Sequence, residues 1–100
     1  MATKEKFSKM FLRNGAAFHL NAVHDKSLVE TSITIKDVRG NVLAKALVCR
    51  CFYFTFEIHK GGKIRRGRRK LQVLTTDRDP LYYSTDVGAW LVDHHAPKLK

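Results

Sequence analysis

Residues 51–70 read CFYFTFEIHKGGKIRRGRRK, two arms about a pair of glycines. In the first arm Phe52, Phe54, Phe56 and Ile58 share one side of an extended chain, and Tyr53, Thr55, Glu57 and His59 share the other. Aromatic and β-branched residues in that alternation predict a central strand whose phenylalanines face a core. Gly61-Gly62 predicts a hairpin turn, with the arginines at the start of the returning arm. LQVLTT, residues 71–76, is expected to continue that arm until DRDP at 77–80 ends it, because Pro80 cannot sit in a central ladder.

The strand pattern extends upstream. Val42, Ala44, Ala46 and Val48 keep the parity of the phenylalanines, with Arg50 among them. A single strand from 42 to 59 exceeds the usual ~3–10 residues, so a bend is expected near Cys49–Cys51. Residues 42–50 also contain the helix formers AKALV, with Leu43, Leu47 and Cys51 spaced by four, but the alternation favours two strands. LVETSITIK, residues 28–36, alternates most clearly, and Asp37–Asn41 with Gly40 supplies the turn between it and Val42. A shorter strand is expected over 18–23, followed by a turn at His24–Ser27.

Each end of the chain reads as a helix. Phe7, Met10 and Phe11 follow i, i+3, i+4 spacing among Lys4, Lys6, Lys9 and Arg13, with Thr3 as N-cap and Asn14-Gly15 as stop. That predicts an amphipathic helix docking Phe7 and Phe11 onto the sheet. Ser84-Thr85-Asp86 are helix-start residues ahead of Val87, Trp90 and Leu91, in a helix weakened by Gly88, and HHAPKLK is a fraying tail. The fold class expected is α+β: one domain over residues 1–100, an antiparallel sheet of about four to five strands with a short helix near each terminus.

Charge directs the functional reading. The chain carries a formal +10, spread over both halves, and its one dense focus is Lys60–Lys70. Lys60, Lys63, Arg65, Arg66, Arg68, Arg69 and Lys70 lie there with no acid between Glu57 and Asp77. Arginine forks match phosphate geometry, and glycines let a backbone approach closely. The function expected is non-catalytic nucleic-acid binding, RNA ahead of DNA, through an arginine-rich β-hairpin touching phosphates, with Tyr53 as a stacking platform. RRGRRK, residues 65–70, resembles the arginine-rich RNA-binding segments of viral regulatory proteins, which implies a small viral or regulatory RNA-binding protein.

Two other classes compete. A small metal-free endoribonuclease would use His19, His24, His59 and Glu57 with the arginines around a phosphorane. A docking module for anionic membrane or protein surfaces would use the N-terminal basic helix together with the ribbon. GxSxG, HExxH and P-loop signatures are absent, and Cys49-x-Cys51 with His24, His59, His94 and His95 lacks the spacing of a zinc site. Neither a cofactor nor a metal is expected, the cysteines read as free thiols in a reducing compartment, and no run is apolar for long enough to span a membrane. Location is expected to be intracellular, both nuclear and cytoplasmic, since RRGRRK has the composition that import receptors read.

Overall fold

In the computed structural model, which describes residues 4–13, 15–28, 30–49, 53–70 and 80–95, the chain forms six strands followed by one helix. These are β1 (Lys4–Arg13), β2 (Ala16–Asp25), β3 (Glu30–Lys36), β4 (Val42–Val48), β5 (Tyr53–Lys60), β6 (Lys63–Lys70) and α1 (Pro80–His95). The strands run β1-β2-β3-β4-β5-β6 across a single sheet, each pair antiparallel, and α1 packs against one face over β2 to β5. The expected four to five strands with a helix near each terminus are therefore corrected. Among the described residues there are six strands, and the only helix is C-terminal.

The largest correction is at β1. Residues 4–13 form ten registered pairs with β2, from Lys4↔Asp25 to Arg13↔Ala16. The register leaves Asn14-Gly15 between the arms, a dipeptide that signals a two-residue hairpin as well as a helix stop. The helical spacing of Phe7, Met10 and Phe11 is outweighed by ladder pairing along the whole segment. On the resulting edge strand Met10 and Leu12 remain exposed, whereas Phe7 packs against the core. Arg13 reaches α1, its Nε donating to Asp93 Oδ1 at 2.6 Å in a two-pronged ion pair. Arg13 in turn holds the Asp93 carboxyl below its ordinary value.

The helix also starts earlier than expected. Pro80 opens it, a position where the missing N–H costs nothing. Ser84, expected as a helix-start residue, is instead fully buried on the inward stripe with Val87, Gly88, Leu91 and Val92. Strands β3, β4 and β5 match the alternation, and β4 ends at Val48 before the expected bend. Arg50, Cys51 and Phe52 lie outside the described residues, as do the 71–76 arm and the tail beyond His95.

Leu20, Ala22, Ile33, Ile35, Ala44, Ala46, Val48, Phe54, Phe56 and Ile58 form the buried face of the sheet beneath Val87, Leu91 and Val92. Alanines at the centre and Gly88 on the helix let the two layers close tightly. A Cβ at Gly88 would strike Leu20 Cδ1 and lie 3.3 Å from Ile35 Cδ1. Glycine in a helix costs about 1 kcal/mol relative to alanine, so its presence here is explained by that contact. Buried Thr31 joins the layers through its hydroxyl, which contacts both His24 Nδ1 (2.8 Å) and the Tyr83 hydroxyl.

Gly88→Val tests the packing. Overpacking costs about 1–3 kcal/mol, and each kcal/mol lowers Tm by roughly 4–8 °C in a domain of this size. A thermal melt followed by circular dichroism should therefore drop by about 10 °C. An unchanged Tm would mean that α1 stands off the sheet.

Candidate nucleic-acid interface

Because α1 covers one face only, the other face of the sheet is open among the described residues. Alternation assigns every strand residue to one face or the other. The six-strand register then lines the open face with two cross-strand rows. One runs Ser8, Asn21, Thr34, Lys45, Glu57, Arg66, and the next runs Lys6, Val23, Ser32, Leu47, Thr55, Arg68. At about 4.8 Å per strand each row crosses roughly 24 Å. The part over β3 to β6 is hollowed into a concavity of about 910 Å³, lined by Ser32, Thr34, Lys45, Leu47, Thr55, Glu57, Arg66 and Arg68 among others.

The basic stretch is divided by this geometry. Gly61 and Gly62, both at positive φ (61° and 76°), make the two-residue turn that pairs Lys60 with Lys63. Arg66, Arg68 and Lys70 then fall on the open face with Tyr53, which pairs with Lys70. Lys60, Lys63, Arg65 and Arg69 share the parity of the core residues and fall on the helix side. There the Arg69 guanidinium lies 5.0 Å from the centroid of Trp90, whose ring meets Phe54 and Phe56 edge-on. Gly67 leaves room for the Phe56 ring, which a Cβ would strike. Arg69 thus serves packing at the edge of the core, and the strand is polarised across its width.

The hairpin is not a free-standing ribbon. β5 pairs along its other edge with β4, and the turn sits beside Asp37 and Asn41 of the β3–β4 turn. The arginines consequently belong to the rim of a six-stranded surface.

Three contacts organise the open side. Arg68 lies over the Tyr53 ring, 5.0 Å from its centroid. The Glu57 carboxylate meets His59 Nε2 at 3.2 Å and accepts from Arg66 Nε at 3.4 Å. The His59 contact, supplemented by Arg66, holds the Glu57 carboxyl below its ordinary value. Arg66 is therefore partly neutralised, while Arg68, Lys70 and Lys45 present charge outward.

All eight expected binding residues lie on β5 and β6, but only Arg66, Arg68, Lys70 and Tyr53 fall on the open face, and of these Arg66 and Arg68 line its concavity. Lys45, Ser32, Thr34 and Thr55 line it too and did not figure among the expected binding residues. Lys45 sits between core Ala44 and Ala46, so its outward parity was legible, whereas its place opposite Glu57 depends on a register that no local pattern encodes. His24 faces Thr31 on the helix side, apart from His59. Among the described residues no three His, Cys, Asp or Glu side chains converge as metal ligands, and no helix is long and apolar enough to cross a membrane. Family models, curated proteins and solved structures yield no match to this chain.

The Glu57 contacts make a measurable prediction. In an NMR titration the Glu57 carboxyl should have its midpoint below that of an ordinary glutamate, and His59→Ala should move it upward. A depressed carboxyl contributes stability above its unfolded-state value and loses it as pH falls through the folded-state value. The contribution at neutral pH should thus disappear in acid. A midpoint indifferent to His59→Ala would dissolve the pair.

Proposed function

We propose that this protein binds nucleic acid, RNA ahead of DNA, without catalysing a reaction, through the open face of its sheet. One observation carries the reading: Arg66, Arg68 and Lys70 on β6, Lys45 on β4 and the Arg68-backed Tyr53 ring share one face of the sheet that no described element covers, with Lys45, Arg66 and Arg68 lining its concavity. Cations supply phosphate attraction, and an aromatic ring beside them supplies a surface for a base. The hydroxyls of Ser32, Thr34 and Thr55 on the same face suit the 2′-hydroxyl and exposed base edges that distinguish RNA.

The reading based on anionic surfaces loses part of its basis, because the basic amphipathic helix it required is strand β1. The ribonuclease reading has one contact in its favour, the His59–Glu57–Arg66 cluster. Cleavage by transesterification needs a base for the 2′-hydroxyl and an acid for the leaving oxygen. The other histidine of this face is His19 on β2, three strand spacings or about 14 Å from β5. Glu57 and His59 are base and acid types within reach of each other, but they bond one another at 3.2 Å with Arg66 on the same carboxylate, an arrangement that also serves plain charge pairing on a surface. Wild-type protein should accordingly leave RNA intact in the absence of metal, as should His59→Ala, on a denaturing gel. Cleavage by wild type that vanishes in a folded His59→Ala variant would replace binding with catalysis.

Two variants of equal charge test the interface. Lys45, Arg66, Arg68 and Lys70 replaced by alanine should abolish tight binding and flatten the salt dependence of log K by about 3, at roughly 0.7 per cation on a single strand. Lys60, Lys63, Arg65 and Arg69 replaced by alanine should retain much more of both. Equal losses in folded protein would mean that global charge binds polyanions indiscriminately.

A further inference from the structure

The open face discriminates among nucleic acids by shape, and this step rests on the binding function just proposed. We infer that its ligand is a single strand, with phosphates running along β6 and bases turned inward over the hydroxyl-bearing floor of β3 to β5.

Width is the first argument. A two-stranded β-ribbon enters a DNA major groove about 12 Å across, and the deep groove of an RNA duplex is narrower still. Here β5 is paired to β4 and the sheet continues to β1, roughly 24 Å across its rows. Among the described residues the β5–β6 hairpin is not a free ribbon, so a duplex on this site would have to lie across the face.

The distribution of charge argues against that pose. Arg66, Arg68 and Lys70 line the β6 rim, whereas inward over β3 to β5 the charges balance, Lys36 and Lys45 against Glu30 and Glu57, among Ser32, Thr34, Leu47 and Thr55. A duplex resting there would set its second backbone over a floor with no net positive charge, on which Glu57 and Glu30 lie. A single strand satisfies both zones at once. Its backbone follows the cationic rim, and its unpaired bases point away from the phosphates onto groups that hydrogen-bond without charge.

Stacking is the third argument. The planar Arg68 guanidinium against Tyr53 makes a layered platform on the face, beside Lys70. Bases inside a duplex are already stacked on one another and present only edges; an unpaired base has a free π-face for such a platform.

The experiment compares one labelled, unstructured 12-nucleotide RNA with the same strand annealed to its complement, by fluorescence anisotropy at one salt concentration. The single strand should bind at least about tenfold more tightly. Tyr53→Ala should weaken single-strand binding about 5- to 160-fold, the range measured for loss of base–aromatic stacking, and leave the salt slope unchanged. Tyr53→Phe should bind like wild type. A duplex that binds as tightly as the single strand, or a Tyr53→Ala variant that loses nothing, overturns the single-strand assignment while leaving nucleic-acid binding in place. Failure of both RNAs to bind folded protein overturns the function itself.

Discussion

The rest of this structure depends on the close seating of one helix on one face of a sheet. Six antiparallel strands in simple sequence order have no crossovers to lock them, and each face would remain wet without a cover. Gly88, set down against Leu20 and Ile35, brings α1 near enough for Leu91 and Val92 to be buried to 0% and 1% exposure. The Arg13–Asp93 pair extends that hold to the edge strand β1. With its single helix committed there, the described chain offers no second layer for the opposite face. The candidate interface is the uncovered half of a two-layer arrangement.

Strands β3, β4 and β5 were legible because period-two burial dominates wherever one face is dry and the other wet. The turn at Gly61-Gly62 was legible because consecutive positive-φ positions demand such residues. β1 was not. An edge strand exposed over much of its length has little need of alternation, and three of its four apolar residues, Phe7, Met10 and Phe11, fit helical spacing too. The start of α1 was missed for a related reason. Ser84 and Asp86 carry capping chemistry, but Ser84 lies on the inward stripe, and a proline first read as a strand terminator opens the helix.

The site was legible in composition and not in partition. Tyr53, Thr55, Glu57 and His59 were assigned to the face opposite the core by parity, as observed. The same parity applied to β6 separates Arg66, Arg68 and Lys70 from Arg65 and Arg69, but charge density, which is blind to faces, marks the stretch only as a block. What lay beyond local reading was the cross-strand register. Contacts such as Lys45 opposite Glu57, or Arg68 over Tyr53, arise only when distant segments pair, and a shift of one residue would reverse every face.

Both outer strands of the sheet, β1 and β6, carry unpaired ladder groups along one side among the described residues, the usual starting point for polymerisation between copies. Each is also cationic: Lys4, Lys6, Lys9 and Arg13 on one, Lys63, Arg65, Arg66, Arg68, Arg69 and Lys70 on the other. A second molecule presenting β6 to β6, or β6 to β1, must bring like charges to within a strand spacing, where they repel most strongly. The charge proposed to hold a polyanion therefore also acts as a gatekeeper against amyloid-like extension of the sheet. Neutralising it by mutation, or titrating it with polyanion to charge balance, removes colloidal protection along with binding.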